Sequence, residues 1–318
     1  MQDKILSILR HQHEYLSGEE IAERLKISRQ ALWKQIQELK DAGYEISAVP
    51  HLGYRLEALP DRLYPPEVSA GLSTKFIGRK IFYFDSLAST MDKAWELGRQ
   101  KAAEGTLVLA ETQTRGRGRL GRQWASAKHK GIYLSLILRP KISASEASLL
   151  TLLAAVSVCE AVAEEAGLRP QIKWPNDILL NQKKVGGILT ELNAETDEVH
   201  FVVLGIGVNV NNDSASLPSA ATSLREEARC QISRLGLLQA LLSRIEENYV
   251  AFLKQGSGTL IRKWREHNLT LGRRVRIISH RQHLEGMAVD IDHDGGLLLR
   301  QDSGLTQKVM AGDITSCR

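Results

Sequence analysis

The segment opened by Ser143-Ala144-Ser145-Glu146 and closed near Gly167 is apolar on nearly every face. A helix of that kind has no side to turn to water, so it must be buried against a sheet supplied by the rest of the chain. The Ser-x-x-Glu spacing is a capping box that marks where it starts. Apolar, β-rich runs at 81–84, 106–110, 132–138, 171–173, 178–180, 187–192 and 201–210 read as the strands of that sheet. An amphipathic helix is predicted near 233–254. From 271 onward the character changes to short strands at 275–278, 285–291, 297–300 and 307–310. The turn residues Asp292-His293-Asp294-Gly295-Gly296 and Asp302-Ser303-Gly304 separate them, as in a small β-barrel.

With 318 residues the chain exceeds what one small core organises, so two or three domains are expected. Ala58-Leu59-Pro60-Asp61-Arg62-Leu63-Tyr64-Pro65-Pro66 breaks both periodicities, and its prolines stiffen it as a linker. The predicted architecture is α+β in three parts: 1–58, 66–270 and 271–318. A hydrophobic fraction of 43% with 25% charged residues is that of an ordinary globular chain and excludes a disordered one. No apolar run reads as long enough to span a bilayer and Met1 opens no leader pattern, so a soluble, cytoplasmic protein with no membrane partner is expected. Cys159, Cys230 and Cys317 are widely spaced and odd in number, which argues against a disulfide framework and against zinc. His280 with His283 is too thin a pair for a metal, and no HExxH occurs, so no tightly held transition metal is expected.

Residues 1–56 carry eight Lys and Arg against eight Asp and Glu, so their reading rests on pattern rather than net charge. Ile5, Ile8 and Leu9 form one helical stripe. Ser17-Gly18-Glu19-Glu20 opens a second helix with Ile21 and Leu25 on its core face, and Ser28 caps a third that buries Leu32, Ile36 and Leu39 before Gly43 stops it. Two strands around Pro50-His51-Leu52-Gly53 complete a winged helix-turn-helix. In the third helix Ser28, Arg29, Gln30, Lys34 and Gln35 precede any acid, the polarity of a helix that reads DNA in the major groove.

Between Thr112 and Lys130 lie six basic side chains and three glycines in nineteen residues, with no carboxylate. Glycine lets backbone N–H groups crowd an anion, alternate arginines add charged donors, and Trp124 offers a flat apolar face. Lys173-Trp174-Pro175-Asn176-Asp177 and Lys183-Lys184-Val185-Gly186-Gly187 follow about sixty residues on. Together they suggest a nucleotide and an activated acid meeting in one pocket. There is no G-x-x-x-x-G-K-[ST] and no G-x-G-x-x-G between strand and helix, so the nucleotide is not held in either of those ways.

Ser89-Thr90, Gln113 with Arg117-Gly118-Arg119 and Trp124, Lys173-Trp174-Pro175-Asn176-Asp177, Lys184 ahead of Gly186-Gly187, and Gly205-Ile206-Gly207-Val208-Asn209 occur in the order and spacing of biotin protein ligases. With the winged helix before them, the chain resembles the bacterial bifunctional biotin ligases and biotin operon repressors along essentially its whole length. The resemblance implies a central class II synthetase-like sheet and an SH3-like C-terminal barrel. It implies that biotin and ATP give biotinyl-5′-AMP, with Mg²⁺ assisting, and that biotin then passes to a lysine of a biotin carboxyl carrier domain. Arg119 and Lys184 are the implied catalytic residues. Ser89, Thr90, Gln113, Gly116, Arg117, Gly118, Trp124, Lys184, Gly187, Ile188, Gly205 and Gly207 would hold biotin. Arg117, Arg119, Arg122, Asn176, Lys184 and Asn209 would hold the nucleotide, and Asp177 a metal. Operator DNA is the second implied partner, bound by a homodimer when the adenylate is present. Three positions depart from the pattern: Met91, Arg115 and Leu120. Two rival readings are a biotin sensor without ligase chemistry and a ligase for lipoate or another acyl chain.

Overall fold

The structure is a computed structural model that describes residues 1–10, 12, 14–195, 198–278 and 283–317, the side chains of 316 and 317 excepted. His280 and the Cys317 thiol therefore lie outside the described residues. The chain divides into two compact units, Met1–Arg62 and Leu63–Arg318.

In the first unit α1 (Gln2–Arg10), α2 (Gly18–Leu25) and α3 (Arg29–Asp41) precede an antiparallel hairpin of β1 (Glu45–Val49) and β2 (Gly53–Ala58). Ser17 and Ser28 sit in extended backbone, and their hydroxyls accept the N–H groups of Glu20 and Ala31 at 3.1 Å each. Each thereby satisfies a donor that the first helical turn leaves open. Leu32, Ile36 and Leu39 are buried with Ile5, Leu9 and Ile21 as the spacing predicts, joined by Leu6, while the predicted Ile8 and Leu25 are only half-buried. Gly53 has φ +114°, and a Cβ there would lie 1.8 Å from the Leu16 carbonyl oxygen. That oxygen accepts the Tyr54 N–H at 2.8 Å, so glycine is what lets the wing close on the chain ahead of α2.

The second unit contains α4 (Pro65–Ala70), β3 (Ile81–Phe84), α5 (Thr90–Arg99), β4 (Leu107–Ala110), β5 (Gly131–Leu138), α6 (Ala147–Ala166), β6 (Gln171–Lys173), β7 (Asp177–Leu180), β8 (Lys183–Glu195) and β9 (Glu198–Asn209). Then come α7 (Leu224–Ala228), α8 (Arg234–Gln255) and α9 (Gly258–His267). The last strands are β10 (Arg274–Ile278), β11 (His283–Ile291), β12 (Leu297–Arg300), β13 (Thr306–Val309) and β14 (Asp313–Cys317). Seven strands form one sheet in the order β3-β4-β5-β9-β8-β7-β6. β3 and β4 are parallel and every other neighbouring pair is antiparallel. The expected barrel is a five-stranded antiparallel sheet in the order β13-β12-β11-β10-β14.

Alternation along the strands divides the core in two. Leu107, Leu109, Leu134 and Leu204 face α6 and α8, whereas Val108, Ile137 and Val203 face Met91, Ala94 and Leu97 of α5. A sheet covered on both faces needs apolar residues at successive positions, which is why these strands read as unbroken apolar runs. The first core continues into Val275, Ile277, Leu297 and Leu299, so the C-terminal strands share it.

α6 lies among α8, α9 and β8, with thirteen of its twenty residues buried. The Ser143 N–H donates to the Glu146 carboxylate at 3.0 Å, part of the predicted capping box. The expectation that no run is long enough to cross a bilayer is corrected: Ala144–Ala166, of hydropathy 1.7, passes by length and composition. In the fold 72% of that window is buried inside the protein, where neighbouring helices and the sheet take the place of lipid. β8 extends well beyond 187–192 on both sides, because Lys183, Lys184, Asn193 and Glu195 are polar strand residues that hide the pairing, whereas β9 begins three residues before the expected 201 and ends at Asn209.

Candidate functional site

Residues 112–130 join β4 to β5, and both roots of this loop are fixed by one buried ion pair. Arg234, at the start of α8, donates to the Glu111 carboxylate at 2.7 Å and to the Gly131 carbonyl at 3.1 Å, with both side chains fully buried. Glu111 also accepts the Leu63 N–H at 2.8 Å and the Tyr83 hydroxyl at 3.3 Å, and lies 3.2 Å from His129 Nδ1. Burial alone would raise the Glu111 pKa, but Arg234 and these donors outweigh it and hold the carboxyl below the usual glutamate range.

Between its roots the loop folds back on itself. Trp124 N–H donates to the Gly116 carbonyl at 2.9 Å and Gly118 N–H to the Arg122 carbonyl at 2.7 Å, around a 3-10 turn at Arg119–Gly121. This hairpin lies over a cavity of about 730 Å³, open mouth included. Gly187 of β8 and Gly205 and Gly207 of β9 lie among its walls. The Trp124 indole rests on two of them: a Cβ on Gly207 would come within 2.6 Å of the ring, and one on Gly187 within 3.1 Å. Its Nε1–H is buried without a hydrogen-bond partner among the described residues. Met91, Leu134, Ile188, Leu189 and Ile206 make much of the remaining wall apolar.

One polar pair in this wall is tightly specified. Gln113 Oε1 accepts from the Thr90 N–H at 2.8 Å and the Thr90 hydroxyl at 3.1 Å, while its Nε2 donates to Ser126 at 3.3 Å. Ser135 donates to Thr90 Oγ1 at 2.9 Å from below. These bonds fix which way the amide points.

Four cations reach the cavity, each held by a carboxylate. Arg117 pairs with Asp92 at 2.7 Å and with Glu191; Lys184 pairs with Asp177 at 2.6 Å and lies 5.6 Å over the Trp124 ring. Arg122 pairs with Asp313, and Arg119 lies 3.7 Å from the same carboxylate while donating to Asn176 Oδ1 at 2.9 Å. Burial lowers the Arg119 pKa against the opposing pull of Asp313 and Asp177. A half-buried guanidinium of this kind gains most from an anion.

Fourteen of the predicted ligand residues line the one cavity: Thr90, Gln113, Arg117, Gly118, Arg119, Arg122, Trp124, Asn176, Asp177, Lys184, Gly187, Ile188, Gly205 and Gly207. Ser89, Gly116 and Asn209 stand behind it. The Ser89 hydroxyl is the N-cap of α5 and accepts the Asp92 N–H at 3.4 Å, Gly116 receives Trp124 N–H, and the Asn209 amide donates to the Thr222 carbonyl at 3.1 Å. Sequence reasoning missed Asp313, Asp92, Glu191 and Leu189, and named Met91 only as a departure from the motif. The carboxylates carry no local motif, whereas the period-two spacing from Gly187 to Leu189 was available as a signal. Among the described residues no cluster of three metal-ligating side chains occurs, and Asp177 is engaged by Lys184.

In the first unit Ser28, Arg29, Gln30 and Lys34 are exposed on α3. The Ser28 hydroxyl is occupied as N-cap, and Gln35 donates to Glu38 at 2.8 Å.

A cavity that joins an apolar, glycine-backed wall to four cations under a glycine-rich loop fits a ligase that activates an apolar acid with a nucleotide, and the comparisons with known proteins agree. Residues 83–209 match the biotin/lipoate A/B protein ligase family, 2–55 an HTH domain, and 270–315 the biotin protein ligase C terminal domain. The chain is 42% identical over 306 residues to the bifunctional ligase/repressor BirA of Bacillus subtilis, spanning 95% of this chain and 94% of that protein. It is 29% identical over 318 residues to the bifunctional ligase/repressor BirA of Escherichia coli, spanning 98% and 96%. The solved biotin protein ligase from Aquifex aeolicus in complex with biotin and ATP superposes with a TM-score of 0.65 at 30% identity, covering 76% of this chain and 99% of that one. The chain belongs to the family of bifunctional biotin ligase/repressors.

Proposed function

We propose that the protein activates biotin with ATP, transfers it to a lysine of a biotin carboxyl carrier domain, and represses biotin genes through its N-terminal unit. The observation that carries the chemistry is the joining, in one cavity, of a glycine-backed wall, the Thr90–Gln113 pair and the four cations Arg117, Arg119, Arg122 and Lys184. A ureido ring needs amide-type partners, a flat ring system needs backbone that approaches closely, and a carboxylate attacking a phosphate needs charge neutralised.

In the first step a biotin carboxylate oxygen bonds to the α-phosphorus of ATP and the bond to pyrophosphate breaks. Two anions must approach, so positioning and electrostatics supply most of the acceleration. Arg119, Arg122 and Lys184 would exchange Asp313 and Asp177 for phosphate oxygens, with Arg117 and Asn176 beside them. Thr90 and Gln113 would orient the ureido head over Gly187, Ile188, Gly205 and Gly207, beside Gly118. Ser89, Gly116 and Asn209 would act from behind by holding α5, the hairpin and the end of β9. In the second step the carrier lysine nitrogen bonds to the acyl carbon, AMP leaves with the bonding pair, and the amine proton passes to solvent. Mg²⁺ is held by one or two carboxylates together with substrate phosphates rather than by a protein cage, so Asp177 would meet it only with ATP bound and once released from Lys184, where the ion would neutralise phosphate charge.

The reading assigns 1–58 to operator DNA and 66–270 with 271–318 to the ligase, in the cytoplasm, with a homodimer forming on the adenylate. Transfer of labelled biotin to an apocarrier tests it. Lys184→Ala and Arg119→Gly should each reduce transfer by about 100-fold or more while the melting temperature holds, the scale of losing one preorganised charge. Wild-type protein that consumes no biotin with ATP, yet adenylates lipoate in a panel of acids, would move the assignment to that acyl chain. Absence of pyrophosphate release with any acid would leave a sensor.

A further inference from the structure

Trp33 is placed where a large apolar side chain has no core to fill. α3 buries Leu32, Ile36 and Leu39, yet Trp33 is 57% exposed. Successive helical residues turn by about 100°, so Arg29 and Gln30, four and three positions earlier, flank it on one outward arc that Lys34 and Gln37 continue. From Lys26 to Gln37 the chain carries three cations and no carboxylate. The next acid, Glu38, accepts from the amides of Gln2 and Gln35 at 2.9 and 2.8 Å. Arg29 and wing residues 49–54 border one groove, so the wing stands beside the start of this face.

The indole is thus an apolar island among cationic and amide donors. A purely apolar partner would leave Arg29 and Lys34 buried without counter-charge. The occupant that fits both features is duplex DNA: phosphates meet the cations, and the major-groove edge of thymine presents a C5-methyl group that the other three bases lack. We propose that Trp33 determines specificity by packing on a thymine methyl at one position of each half-site. This rests on reading the first unit as DNA-binding.

The test uses the full-length protein with biotin and ATP. A duplex is selected from a random library, each thymine in turn is replaced by deoxyuridine, and binding is followed by fluorescence anisotropy. One position per half-site should weaken about fourfold, the equivalent of one buried methyl at ~0.8 kcal/mol. Trp33→Ala should bind more weakly and treat thymine and uracil alike at that position, and Trp33→Leu should keep part of the discrimination. If every uracil substitution is silent for the wild-type chain, or the discrimination survives in both variants, Trp33 is not the reader although the unit still binds DNA. If selection enriches no sequence, the DNA-binding reading itself fails and this inference with it.

Discussion

At Gly207 a single hydrogen atom separates an open wall from a blocked one. Alanine is acceptable to the β9 backbone, but its methyl would meet the Trp124 indole at 2.6 Å, well inside van der Waals contact. Gly207→Ala should therefore weaken biotin binding by about tenfold or more in a calorimetric titration, through loss of ring placement. Its melting temperature should stay within a few degrees of wild type, because no ladder bond is removed; a large drop would mean the residue serves the sheet rather than the ligand. Ser89 supports the opposite expectation. As N-cap of α5 its loss in Ser89→Ala should lower stability by about 1 kcal/mol. Biotin affinity that falls a hundredfold without any change in stability would show that Ser89 touches the ligand directly.

The element that ties the site to its scaffold is the buried contact of β4 with α8 through Glu111 and Arg234. Breaking it by Glu111→Gln leaves a buried guanidinium without its counter-charge, and should cost about 3 kcal/mol or more at neutral pH. The Glu111 carboxyl is held below its ordinary range, so its contribution is complete above the unfolded-state value of about 4.3 and fades as pH falls through the lower folded-state value. Urea unfolding across that acid window should show wild type losing stability faster than the variant; parallel curves would rule the carboxylate out. Much at this scale was legible in the chain. The strands at 81–84, 171–173 and 297–300 have the predicted bounds because flanking charged, proline and turn residues mark both ends. α3 followed from Ser28 and the spacing of Leu32, Ile36 and Leu39. β14 was not picked out, since Asp313-Ile314-Thr315 is short and half polar. With it went Asp313, whose partners Arg119 and Arg122 lie almost two hundred residues earlier and share no spacing with it. The motifs gave the cations of the site but not their carboxylates, because a pairing across elements is a property of the fold and leaves no periodic trace.

On the scale of the whole chain, the loop over the cavity joins catalysis to regulation. Its roots are fixed through Arg234, while its middle is held by surface pairs from Arg117 to Asp92 and Glu191 and from Arg122 to Asp313, each weak in water. Phosphate oxygens compete for those same guanidinium donors and bind them more strongly in a closed site. Biotin with ATP should therefore slow tryptic cleavage after Arg117 and Arg119, and equal rates with and without them would show that the loop does not respond. The adenylate persists when no carrier accepts it, so a chain bearing both a ligase and a DNA-binding unit can report that persistence to its operator. Linkage makes the claim quantitative: if the adenylate raises operator affinity tenfold, operator DNA must raise adenylate affinity tenfold, a coupling of about 1.4 kcal/mol in each direction. Operator titrations with and without biotin and ATP give one ratio, and adenylate dissociation constants with and without operator give the other. Dimerisation on two half-sites adds a dependence on protein concentration, steeper for the operator than for a single half-site, which separates assembly from a change within one chain. Matching ratios above one support the switch, and two ratios of one mean that the ligase and the repressor share a chain without sharing a signal.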